Sequence, residues 1–309
     1  MTNSPPDRIP FVFVDVFAST PLTGNPVAVV PDADDLTEPT MRAIAREFNQ
    51  SETTFILRPT LAGATWRLRS FTPIGEEVLG AGHNALGAWL WLAGAGRLPA
   101  DRPSFTQQIG DALLPVDVTG PPRATLVTMR QSTPEFGATV SDAADRAELA
   151  AALGLTGADL DTATVPQVVS TGAGHLLVPV TGRDAVDRAR PDGPRLAAAV
   201  ARAGGEGCYV YSRDPVDPTD AVAYARFFNP GMGISEDPAT GTAAGPLLAR
   251  LVADGAVTEG TAVIEQGYRL GRPSRIRVGV TGDRVEISGT GLVVAEGVLR
   301  TAPPSGAAE

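Results

Sequence analysis

Glu236-Asp237-Pro238-Ala239-Thr240-Gly241-Thr242-Ala243-Ala244-Gly245 is the stretch on which the reading of this sequence turns. It packs two carboxylates, a proline, two hydroxyls and small residues into a turn. It then runs straight into an apolar helical pattern, Pro246-Leu247-Leu248-Ala249-Arg250-Leu251-Val252-Ala253. The first N–H groups of such a helix have no intrahelical partner, and they attract anions. Read alone, the stretch is an ordinary helix start capped by Asp237 and Thr240, and the rest of the chain is what changes that reading.

An earlier segment repeats the device. Phe71-Thr72-Pro73 leads through an irregular loop to Gly82-His83-Asn84 and an apolar helix, as Phe228-Asn229-Pro230 leads to Gly241. Eleven residues separate Phe71 from Gly82, and thirteen separate Phe228 from Gly241. The helix opened by His83 is apolar nearly all round (Leu86, Ala88, Trp89, Leu90, Trp91, Leu92), so it is expected to be buried. The repeat predicts an α+β chain of two similar domains, each with one core helix, over 83–95 and 241–254. If the halves face each other, the two helix starts converge on one cleft. Gly120-Pro121-Pro122 is the expected linker. The domains are then 9–119 and 123–289. Strands are expected at 11–17, 27–30, 53–57, 65–71, 104–109 and 112–118, and in the second half near 124–130, 165–170, 175–181, 207–212 and 221–228, followed by hairpins to 299.

The bulk properties exclude several classes. At 309 residues the chain is long enough for two cores, and with 43% hydrophobic and 19% charged residues it is globular. A net charge of −10 argues against nucleic acid or an anionic membrane as partner. No apolar run approaches the roughly 20 residues that span a bilayer, Met1 to Arg8 lacks the pattern of a signal peptide, and the expected location is the cytoplasm. One cysteine, Cys208, and two histidines, His83 and His175, with no metal-binding spacing, leave no expected metal site. The glycine-rich nucleotide loops are absent.

Polar residues concentrate in four loops between apolar elements. Asn49-Gln50-Ser51-Glu52-Thr53-Thr54 places Glu52 between a helix and a strand, where a carboxylate is held rigidly and partly desolvated, as proton transfer requires. His83 sits at a helix N-terminus, where the dipole favours a neutral imidazole. Asp237 and Thr242 lie in the opening stretch. Gln266-Gly267 precedes Gly271-Arg272-Pro273-Ser274, in which Arg272 either pairs with a carboxylate or fastens a hairpin. Cys208 and His175 lie in apolar strand patterns and read as core residues.

These motifs, together with Val14-Asp15-Val16-Phe17 and Gly24-Asn25-Pro26, occur in one order. In that order the chain resembles the PhzF-like (phenazine biosynthesis protein) family from about residue 10 to 300. The resemblance implies the diaminopimelate-epimerase-like fold: two similar domains, each a β-barrel-like sheet wrapped round a central helix, with the active site between them, and a last strand at 290–301 that returns to the first domain. It implies Glu52 as the acid/base that moves a proton between carbons, and His83 and Asp237 as the groups that bind or polarise the substrate. Asn25, Ser51, Gly82, Asn84, Gly241, Thr242 and Ala243 are expected to line the substrate. No cofactor and no metal are implied, and the implied assembly is a homodimer. Superfamily racemases use two cysteines, and one cysteine rules that chemistry out of the expectation. Against the family pattern this chain has Ala81 for a common cysteine, Asn84-Ala85 after His83, and Thr242 for a serine. Asn84 is expected to project toward the substrate. The functional expectation is a cofactor-independent isomerase of a small, anionic cyclic amino- or imino-carboxylate, in specialised metabolism and antibiotic biosynthesis. The alternative is a non-catalytic small-ligand binding protein on the same scaffold.

Overall fold

The computed structural model describes residues 6–121 and 124–301 of the chain. Two compact units divide it. The first runs through Leu22, covers Pro26–Met129 and resumes from Thr290; the second holds Thr23–Asn25 and Arg130–Gly289.

The first unit opens with β1 (Arg8–Val16) and β2 (Asn25–Val30), then α1 (Glu38–Phe48), β3 (Thr53–Leu57), β4 (Trp66–Phe71), β5 (Glu77–Val78), α2 (His83–Gly94), β6 (Ser104–Ile109), β7 (Ala112–Thr119) and β8 (Leu126–Arg130). β2 and β3 pair in parallel, β3 and β4 antiparallel, β4 and β6 parallel, and β6, β7 and β8 form an antiparallel meander. The C-terminal strand Gly291–Arg300 returns to pair along the whole of β1. α2 is the centre of this unit. Its residues from His83 to Leu90 are all buried, and the indole N–H of Trp89 donates to Gln107 Oε1 at 2.9 Å. Gly87 is needed for this packing: a Cβ there would lie 2.2 Å from Val27 Cγ1. α1 begins at the Thr37 cap and packs Met41, Ile44 and Ala45 into a cluster with Val30, Phe55 and Phe71. It ends at Asn49, whose left-handed φ of 50° turns the chain toward Glu52.

The second unit adds β9 (Glu135–Thr139), α3 (Ala143–Ala152), β10 (Gln167–Ser170), β11 (Gly174–Pro179), α4 (Arg183–Arg188), α5 (Gly193–Arg202), β12 (Gly207–Ser212), β13 (Ala221–Asn229), β14 (Ile234–Asp237), α6 (Gly241–Ala253), β15 (Gly260–Gln266), β16 (Ser274–Thr281) and β17 (Arg284–Gly289). The C-terminal strand is β18. β11–β12 and β13–β15 pair in parallel; the other neighbours in the run are antiparallel. α6 packs against β10, β11, β16 and β17, and every residue from Ala243 to Ala249 is buried. A second apolar layer joins α3, α4 and α5 to the outer face of β11–β13.

Two expectations need correction here. The division falls between Met129 and Arg130, later than the 120–122 turn, because β8 stays paired with β7 through Val116↔Met129. Pro122, in the expected linker, lies outside the described residues. Thr23–Asn25 joins the second unit, because Arg272 donates to the carbonyls of Thr23 and Gly24 at 2.9 and 2.8 Å.

Candidate active site

In the first unit, the turn after Asn49 sets Glu52 at the mouth of β3. The register of β3 on β4, Thr53↔Phe71, carries the chain past the loop that opens α2. Glu52 Oε2 thereby lies 3.0 Å from His83 Nε2. The two side chains are 16% and 8% exposed, so the pair is largely shielded but not sealed from solvent. A carboxylate this close to an imidazole forms an ion pair with it whenever the ring carries its second proton. Such a pair can hold or release one proton with little movement of heavy atoms. Ser51 and Gly82 are half-buried beside them in sequence.

Asn84 does not project outward. Its Oδ1 accepts from the Gly82 N–H at 2.8 Å, and its Nδ2 donates to Gly80 O at 3.1 Å and to Ser70 Oγ at 3.0 Å. A buried amide left without partners is costly, so the side chain folds back onto its own loop. The N–H of Gly82, a residue expected to line the substrate, is occupied by this contact.

In the second unit, Asp237 is 5% exposed at the end of β14. Its Oδ1 accepts from Asn25 Nδ2 at 2.9 Å, and its Oδ2 accepts from the Thr240 hydroxyl. Asn25 Nδ2 also donates to Ala239 O, so both amide hydrogens are used. That fixes the amide orientation and leaves the buried Asn25 Oδ1 with no hydrogen-bond partner among the described residues. Gln266 ties the turn together: it donates to Asp237 O and accepts from the Thr240 N–H and the Tyr209 hydroxyl. Burial, with the Asp237 charge adding to it, pushes the Tyr209 hydroxyl well above its ordinary value, so it remains a donor. Gly267 follows with φ +82°, and a Cβ there would meet Arg272 O at 2.3 Å and Pro238 O at 2.5 Å. Arg272 reaches from this turn to the carbonyls of Thr23 and Gly24, far from its own hairpin in the sequence.

Thr240 is the N-cap residue of α6 but does not cap it with its side chain, because the hydroxyl is committed to Asp237. Gly241, Thr242 and Ala243 form the first turn; the Ala243 N–H already donates to Thr240 O at 3.1 Å, so the leading N–H groups are those of Gly241 and Thr242. Thr242 Oγ1 lies 3.2 Å from His175 Nε2. The sequence reading placed His175 in the core, and it is 4% exposed, but its link to Thr242 was not read from the sequence. Burial lowers it to about 4, so it is neutral near pH 7 and able to orient the threonine hydroxyl. The signal was present in the alternation of β11, which puts His175 and Leu177 on one face. Among the described residues, no group of three or more His, Cys, Asp and Glu side chains is placed to hold a metal ion.

The family model described as phenazine biosynthesis-like protein matches residues 14–297. Among curated relatives, trans-2,3-dihydro-3-hydroxyanthranilate isomerase of Pseudomonas aeruginosa is 36% identical over 298 residues, covering 93% of this chain and 98% of that protein. The protein of the same name from Pseudomonas fluorescens is 34% identical, covering 94% and 98%. Among solved structures, a Bacillus anthracis phenazine biosynthesis protein of the PhzF family superposes with a TM-score of 0.86 at 29% identity, covering 94% of this chain and 99% of that one. A probable proline racemase from Agrobacterium radiobacter shares the fold, with a TM-score of 0.64 at 15% identity, over 96% and 94% of the two chains.

Proposed function

The chain belongs to the phenazine biosynthesis-like (PhzF) family of isomerases, with the diaminopimelate-epimerase-like fold, and from that premise we propose that it shifts a proton, and with it a double bond, in a small cyclic amino- or imino-carboxylate. The observation that carries this reading is the 3.0 Å contact of Glu52 with His83. Glu52 takes a proton from one activated carbon and returns it to another on the same face of the ring. His83 steadies the carboxylate in both protonation states. One shielded carboxylate suffices for both steps if the substrate stays bound between them. The free acceptor on Asn25 Oδ1, beside Asp237, suits a substrate amino or imino hydrogen. The leading N–H groups of α6 and the Thr242 hydroxyl suit a substrate carboxylate.

Thiol chemistry has weaker support. Cys208, the chain's one cysteine, is fully buried in β12, and burial pushes its thiol up, away from the nucleophilic thiolate. We further propose that the protein works as a homodimer in specialised metabolism, without a cofactor; sedimentation of the full chain tests the assembly.

The chemical test uses trans-2,3-dihydro-3-hydroxyanthranilate, the substrate in the relatives' name, as the first probe, followed by cyclic imino acids. In D₂O the wild-type protein is expected to exchange a substrate C–H for deuterium, and a purely binding protein exchanges none. Glu52→Gln is expected to lose turnover by about 10²-fold or more while still binding ligand. Near-normal turnover of that variant would remove Glu52 from the mechanism.

A further inference from the structure

Asn84, Ser70 and Thr54 close a ring of hydrogen bonds behind the Glu52–His83 pair. Asn84 Nδ2 donates to Ser70 Oγ at 3.0 Å. Ser70 Oγ and Thr54 Oγ1 are 2.9 Å apart. Thr54 Oγ1 donates to the backbone carbonyl of Asn84 at 3.2 Å. The donor order follows from counting hydrogens. A hydroxyl has one, and that of Thr54 is committed to the Asn84 carbonyl, which cannot donate. The Ser70 hydrogen must therefore point to Thr54. Each of the three groups donates once and accepts once around the circuit. Thr54, Ser70 and Asn84 are 0%, 2% and 3% exposed, so water does not compete for these bonds. Bonds in such a circuit polarise one another and strengthen together.

The ring joins the two pieces of chain that carry the candidate acid/base pair, through Ser70 of β4. Thr54 stands two residues after Glu52 and is the register partner of Ser70 across β3 and β4. Asn84 directly follows His83 in the first turn of α2. The remaining Asn84 bonds, to Gly82 N–H and Gly80 O, fix the loop that leads into His83. The bond from the Thr54 hydroxyl to the Asn84 carbonyl ties β3 directly to the start of α2.

We propose that Asn84, Ser70 and Thr54 are positioning residues that set the Glu52–His83 separation and thereby the proton affinity of the pair. The inference rests on the reading of Glu52 and His83 as the acid/base pair, but its test does not need turnover. The chain has only two histidines, and His175 is buried and neutral near pH 7, so the His83 ring signals are identifiable by NMR in the full-length protein. Thr54→Val removes the hydroxyl with little change of shape, and Thr54→Ser keeps it. The expected result is that Thr54→Val moves the His83 titration midpoint in the same direction as Glu52→Gln, by about half a pH unit or more, while Thr54→Ser restores the wild-type midpoint. Ser70→Ala and Asn84→Ala are expected to follow Thr54→Val, and either replaces it if that variant does not fold. Folded Thr54→Val or Ser70→Ala protein with an unmoved His83 midpoint overturns the proposal. The two readings separate cleanly. A wild-type protein that exchanges no substrate deuterium while the midpoint moves as expected defeats the proposed reaction and leaves the positioning ring standing.

Discussion

His175 shows how a single burial sets both an orientation and a pH dependence. Its imidazole lies edge-on to Phe227, with ring centroids 5.0 Å apart, and meets Thr242 on its other side. Burial lowers its protonation from the ordinary 6.5 to about 4. In the unfolded chain the ring takes up a proton below 6.5, while the folded chain resists until about 4. Between those values the unfolded state binds more protons, so stability falls as pH drops through this window. The full loss, a shift of about 2.5 pH units at 1.36 kcal/mol each, is of order 3 kcal/mol. His175→Gln keeps a group able to meet Thr242 and removes this proton. Its unfolding free energy is expected to fall less steeply than the wild type's between pH 6.5 and 4, as measured by denaturant titration at each pH. The residue scale also shows where sequence reading stops. Glu52, His83 and Asp237 stand out in the sequence as polar groups at the ends of apolar elements. The fate of Asn84 did not, because it depends on which acceptors and donors surround a buried amide.

At the scale of elements, both core helices were legible within a residue or two of their ends, since an all-round apolar pattern is a local signal. β9 was missed: all five of its residues are exposed, so no alternation marks it, and its pairing with β10 makes it a strand. α4 is only six residues and carries too little pattern to read. The close packing of α2 gives a sharp prediction. Alanine normally favours a helix over glycine by about 1 kcal/mol. At Gly87 the added Cβ would meet the stiff Val27 at 2.2 Å and Val16 at 3.2 Å. Gly87→Ala is therefore expected to destabilise the protein by about 1–3 kcal/mol despite its propensity. Gly94, in the same helix, has open space around it: a Cβ added there would meet nothing within 4 Å, and Gly94→Ala is expected to be neutral or slightly stabilising. Parallel denaturation curves of the two variants check the contrast.

On the scale of the whole molecule, the chain closes its first unit with its last strand. β18 pairs with β1 from Arg8↔Arg300 to Val16↔Gly291, broken only by a bulge between Phe13 and Val14. The bonds of β1 to β18 thus wait for nearly the whole chain to be present. β1 also pairs with β2, so truncation after Gly289 is expected to strip protection from those β1 amides that face β18 and to weaken the cooperative unfolding transition of the first unit. Hydrogen exchange resolved by residue checks it, and undiminished protection of every β1 amide in the truncated chain would contradict it.

By itself the sequence determined the two core helices, the small polar turns that open them, the acidic balance and the order of motifs that marks the family. All of these are local patterns or sums over the chain. Contacts across the fold were settled in three dimensions alone: Glu52 touches His83, the Asn84 side chain locks its own loop, Thr23–Asn25 joins the second unit, and Asp237 is held by Asn25 from 212 residues away. Each of these depends on strand register and on the need of buried polar groups for partners. Those partners are remote in the chain, and no window of sequence contains them.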